Sequence, residues 1–100
     1  MRLQASDITI DTLGIAALGW LEVDDPDNPQ AWELSVQGPI NGDLGDATWG
    51  KREDVFVIEV MTSPNRRWQG EGRIRQSTDS PMTGMRSLAI MGTGQLRLLA

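Results

Sequence analysis

Four oxygen-bearing side chains crowd one short segment, Asp24-Asp25-Pro26-Asp27-Asn28-Pro29. Carboxylates at that density are the ligand type that a hard divalent cation selects. The spacing lacks the central glycine and closing glutamate of an EF-hand loop, and two prolines stiffen it, so the segment reads as a solvated acidic turn. Gly70-Glu71-Gly72 and Gly92-Thr93-Gly94 superficially match phosphate-cradling loops. Neither opens a helix and no Gly-Lys-Ser/Thr follows, which argues against nucleotide binding. Glycines inside strands instead mark bulges or the close approach of another backbone; a neighbouring subunit is one expected source. Ser and Thr are plentiful, but the chain has no His and no Cys, and its only lysine is Lys51. A hydroxyl nucleophile therefore has no ordinary base, and the commonest transition-metal ligands are missing. Paired carboxylates of the glycosidase kind have no supporting signal. The expectation is a non-enzyme with no catalytic, cofactor or metal site.

The aromatic set is odd: Trp20, Trp32, Trp49, Trp68, one Phe and no Tyr. Trp32 and Trp68 sit on the apolar parity of strand-like segments and are expected in the core. Trp49, between Thr48 and Gly50, has no alternating partner and is the candidate exposed anchor, for an interface or a sugar ring. Arg66 and Arg67 precede Trp68, and Arg73 and Arg75 fall on the polar parity after it, yet a net charge of −5 and a pI of about 4.5 argue against a dedicated nucleic-acid binder. Cross-strand pairing with Glu59 and Glu71 is the simpler use of these bases. Residues 1–50 carry nine acids against one base, and residues 51–100 carry eight bases against five acids. Two mixed surfaces are the plain reading; head-to-tail attraction between subunits is the sharper one.

The elements that would position these residues are strands. Leu3–Ile10 alternates loosely, and Thr12–Val23 reads as a short strand or turn followed by a strand. Trp32, Leu34 and Val36 alternate with Glu33, Ser35 and Gln37. Gly38 to Asp54 lacks apolar periodicity and is expected to be a loop of about 17 residues, the kind of length that is usually functional or mobile. Val55-Phe56-Val57-Ile58 is apolar on both parities, as in a strand covered on both faces. Thr62–Asn65 and Asp79–Pro81 are turns. Trp68, Gly70, Gly72 and Ile74 oppose Gln69, Glu71, Arg73 and Arg75; Leu88 and Ile90 oppose Ser87 and Ala89. After Gly92-Thr93-Gly94 the chain enters a last strand, Leu96 to Leu99. Six or seven short strands predict a single-domain antiparallel β-sandwich or barrel, residues 1–100, with little helix.

Composition agrees: 39% apolar and 23% charged residues describe an ordinary globular domain. The N-terminal residues lack an apolar signal region and no run is long enough to span a bilayer. A soluble chain without membrane contact, made in a cytoplasm, is expected.

Three segments in order carry a family likeness: Ala31-Trp32-Glu33-Leu34-Ser35-Val36-Gln37-Gly38, Val55-Phe56-Val57-Ile58-Glu59-Val60, and the pair Trp68-x-Gly70-x-Gly72-x-Ile74 with Ile90-x-Gly92-Thr93-Gly94-x-Leu96. Together they resemble the phage tail-tube proteins over residues 31–98. The resemblance implies a virion structural protein, synthesised in the host cytoplasm. Its subunits would form hexameric rings that stack with other virion proteins into a channel, and DNA would pass as non-specific cargo. It also implies sheet edges that pair between subunits. Two features depart from the family: Asn41–Asp54 is short and Gly-rich where a helix is usual, and the chain is compact. Other virion roles on a similar fold are a tail terminator, an adaptor or a capsid decoration. A carbohydrate- or protein-binding β-sandwich is the alternative of a different class. The residues expected to make assembly contacts are Trp49, Lys51, Arg52, Asp24, Asp25 and Asp27.

Overall fold

A computed structural model describes residues 1–48, 54–62 and 65–99 of the chain. It is 63% strand and 7% helix, so the chain is an all-β protein of one domain. The elements are β1 (Arg2–Ile10), β2 (Leu13–Gly14), β3 (Leu18–Val23), β4 (Trp32–Pro39), α1 (Asp43–Thr48), β5 (Phe56–Thr62), β6 (Arg66–Ser80), β7 (Met85–Gly92) and β8 (Arg97–Leu99).

Every pairing is antiparallel, in the order β1-β3-β4-β7-β6-β5, and β5 returns to β1 through Thr9↔Glu59 and Ile10↔Ile58. The sheet therefore closes into a six-strand barrel within one chain. Closure depends on β1, which carries β3 and then β2 along one edge and β5 along the other. Arg2–Ala5 pair with β3, while Thr9 and Ile10 pair with β2 across a two-residue turn. Asp11 and Thr12 supply that turn at φ 49° and 73°, the twist that a tight hairpin needs. Between the halves of β1, Asp7 at φ 46° forms a bulge, so that Ala5 and Ile8 both face inward although three residues apart. An edge pairing supplied by a neighbouring subunit is thus not what completes the barrel: β1 and β5 do so themselves.

β6 is the longest strand and is shared in the same way. Arg66–Gly72 pair with β5, Gly72–Ser80 pair with β7, and Arg67–Gln69 pair with β8, which continues the β7 side of β6 after the Gly92–Leu96 bend. The turn before β7 falls at Pro81–Gly84, later than Asp79–Pro81, with Gly84 at φ 67°.

Two expectations about the middle of the chain are corrected. The stretch from Gly38 to Asp54 is not a continuous loop: β4 runs through Pro39 and α1 follows. Leu44 and Ala47 of α1 are buried, and a Cβ at Gly45 would overlap the Ile40 carbonyl, so this glycine permits the helix to pack where it ordinarily weakens one. β5 is not covered on both faces either. Phe56, Ile58 and Val60 point into the core, whereas Val55 and Val57 are exposed.

The core is continuous through the barrel, with Ile8, Ile10, Leu21, Leu34, Phe56, Ile58 and Ile90 almost fully buried. Trp32 and Trp68 are buried as expected. The Trp32 indole explains the glycine motifs. A Cβ on Gly70 or on Gly72 would lie 3.1 Å from its six-membered ring, and one on Gly92 would overlap the pyrrole edge. The indole Nε1 donates to the Gly94 carbonyl at 2.8 Å. Trp32 is the nearest group at Gly92, while Leu96 at 2.7 Å comes nearer to Gly70 and Ile90 and the Met91 carbonyl at 2.9 Å come nearer to Gly72, so every group that approaches these glycines in the structure belongs to the same chain. Gly92→Ala is expected to cost about 1–3 kcal/mol through overpacking, read as a lower denaturation midpoint. The cost should shrink in a Trp32→Leu background; strictly additive losses would rule out the contact as the cause.

Candidate functional site

The acidic loop between β3 and β4 is held by its own carboxylates. Asp24 Oδ1 accepts the backbone N–H groups of Asp25, Gln30 and Ala31 at 2.9, 3.1 and 3.2 Å. These bonds, that from Ala31 foremost, hold the Asp24 carboxyl below its ordinary value of 3.8. Asp25 Oδ1 accepts the Asp27 N–H at 2.9 Å, an Asx turn. Asp27 pairs with Arg66 at 3.2 Å, and the Pro29 carbonyl accepts the Leu96 N–H at 3.0 Å. Asp24 and Asp25 thus turn an oxygen into their own loop, while Asp27 remains 81% exposed. No group of three or more metal-ligating residues gathers among the described residues.

The opposed charges of the two sequence halves meet inside the fold. Arg66 reaches Asp27, and Arg75 reaches Glu33 at 2.8 Å. Arg67 pairs with Glu59 at 3.0 Å, the cross-strand partnership expected of it. Arg86 clasps Asp79 at 2.7 and 3.1 Å and draws that carboxyl below 3.8. Intramolecular pairing occupies much of the charge that the head-to-tail reading requires. Arg73 has no ion pair among the described residues.

Trp49, Lys51 and Arg52 lie outside the described residues. Their flanks do not. On one side, the Thr48 hydroxyl accepts from Arg86 at 3.3 Å, beside Asp79. On the other, Phe56 is opposite Gly72. Between these two anchor levels β6 runs from Arg73 to Ser80 with β7 along one edge and, among the described residues, no strand along the other. No residue of that run is buried. Val55 and Val57, two apolar side chains with no place in the core, lie beside its beginning.

A second surface was not among the expected sites. The outer face of β3, β4, β7 and β6 forms a trough of about 460 Å³. Its register rows are Trp20↔Ser35↔Ala89↔Gln76 and Leu18↔Gln37↔Ser87↔Thr78. Trp20 is 41% exposed, with the Arg2 guanidinium 4.8 Å from its ring. The sequence signal for it was available: Leu21 and Val23 face inward, so Trp20, of opposite parity, faces out.

Compared with protein families, curated proteins and solved structures, the chain matches none. No helix among the described residues is long and apolar enough to cross a membrane.

The carboxylates of Asp24 and Asp79 generate a pH prediction. Both are depressed in the folded chain, so their stabilisation is complete above the ordinary value of 3.8 and is lost as pH falls through the folded values. Asp24→Ala should lower Tm by a few degrees at pH 7 through lost N–H acceptors. Thermal melts at descending pH should show that gap narrowing below 3.8. A gap that widens in acid would contradict the assignment.

Proposed function

We propose that this protein is a structural subunit of the phage tail-tube type, assembling with copies of itself along the open edge of β6. The single observation that supports this most is the eight-residue run Arg73–Ser80, with no fully buried residue and without a strand beside one edge among the described residues. Unpaired N–H and C=O groups in a row are a template for another strand, and proteins that do not use such an edge normally blunt it.

Other features agree with the reading. The fold is antiparallel β, the three motif segments fall on β4, β5 and the β6–β7 pair, and α1 occupies the interval between β4 and β5 in which tail-tube proteins carry a helix. Trp49, Lys51 and Arg52 lie outside the described residues and stay candidates on their sequence alone. Asp27, largely exposed, stays a candidate on the opposite loop, where Asp24 and Asp25 are mainly internal braces.

Proline at the edge tests the reading. Consecutive N–H groups of a strand point to opposite edges, so one of Ser77→Pro and Thr78→Pro breaks the ladder to β7 and the other blocks only the open edge. Light scattering after size exclusion, with negative-stain microscopy, should show rings or tubes for the wild type. The edge-blocking variant should melt like the wild type yet remain monomeric. A wild type that stays monomeric at its highest soluble concentration, or an edge-blocked variant that still assembles, would overturn the proposal.

A further inference from the structure

The trough on the outer barrel face has a construction that assembly along β6 does not require. Its floor is small, Ser35, Ala89 and Ser87 on β4 and β7, and its walls are tall, Leu18 and Trp20 on β3 against Gln76 and Thr78 on β6. The bulge between Ile74 and Gln76 re-aims Arg75, whose guanidinium crosses β7 to meet Glu33 and closes one end. Leu18 is 72% exposed. The volume falls within the roughly 300–1,000 Å³ of small-ligand clefts.

We infer that this trough is a binding site for a neutral oligosaccharide built of pyranose units, one ring packing against the part of Trp20 that the Arg2 guanidinium leaves uncovered and its hydroxyls pairing with the amides and hydroxyls of the lining. The lining carries the argument. Among the described residues, the side chains of Ser35, Gln37, Gln76, Thr78 and Ser87 make no hydrogen bond within the chain, so both donors and acceptors face the trough unused. A flat aromatic ring beside convergent amides and hydroxyls matches a sugar, which has an apolar C–H face and a polar rim.

Competing occupants fit less well. A nucleic-acid strand needs phosphate neutralisation, yet of the two arginines in the lining Arg75 is paired with Glu33 and Arg2 lies over the Trp20 ring, and the chain carries a net charge of −5. A β-strand peptide needs an open edge, and the backbone here lies in the interior of a sheet, with β4 and β7 paired on both sides.

The test uses the full chain on a printed array of neutral hexose and N-acetylhexosamine oligosaccharides. Titration of the best-retained glycan follows, read on the indole N–H resonances. Binding to at least one neutral glycan is expected. Trp20→Ala should weaken it by about tenfold, and Gln76→Ala should weaken it measurably, with both variants melting as the wild type. A wild type that stays monomeric yet retains the sugar would overturn the assembly proposal and leave this inference standing, which separates the two. Retention of no neutral glycan, retention of anionic polymers alone, or affinity unchanged in Trp20→Ala would overturn it.

Discussion

The Trp32 indole is the contact around which the last third of the chain is arranged. It projects from the first residue of β4 into a space that exists only because Gly70, Gly72 and Gly92 carry no side chain, and its one polar atom is satisfied by the Gly94 carbonyl. An unpaired buried indole N–H would be costly, so the bend at Gly92-Thr93-Gly94 cannot drift from β4. That bend in turn aims Leu96 into the core and sets β8 against β6. A single aromatic ring therefore links β4, β6 and β7 more tightly than their ladders alone. The same contact accounts for the spacing of glycines in two separate motifs. Gly92 is the imprint of the ring itself, and Gly70 and Gly72 make room for it together with Leu96, Ile90 and the Met91 carbonyl.

Barrel closure distributes the edges of the sheet unevenly. β1 and β5 complete the cylinder, so most backbone groups are paired inside one molecule. Where β6 outruns β5, no strand of the described residues lies beside it, and β4, β7 and β6 continue as a three-stranded extension. The end of this extension is bound to the loop after β4 by Ile40 N–H donating to the Gly84 carbonyl at 2.9 Å. α1 sits at the same end with Leu44 and Ala47 buried. The fold thus concentrates its open backbone in one place, while the outer face of the extension carries the polar trough. Association and ligand capture would then use perpendicular surfaces of the same strands, one in the sheet plane and one above it.

Much of the fold was legible because strand parity is a local property. Trp32, Leu34 and Val36, then Trp68, Gly70 and Gly72, then Leu88 and Ile90, all face inward as their alternation requires. What escaped is non-local or masked by composition. α1 has only Leu44 and Ala47 to declare it, and Gly45 reads as a breaker until the Ile40 carbonyl beside it is seen. Two apolar parities in Val55–Ile58 suggested cover on both faces, but an apolar surface on Val57 looks identical in sequence to a buried one. Of the expected contact residues, Asp24 and Asp25 are absorbed by their own loop, which charge density alone does not reveal. The trough was illegible because its residues come from four strands and converge only through register.

That the barrel closes within a single chain is the claim on which these arguments rest, and isotope-filtered NMR on a mixture of labelled and unlabelled subunits addresses it directly. Cross-strand contacts between Thr9 and Glu59, and between Ile10 and Ile58, should arise only within one labelled molecule. If those contacts appeared instead between labelled and unlabelled copies, β5 would be completing a neighbour's barrel, and the intramolecular closure described above would be wrong.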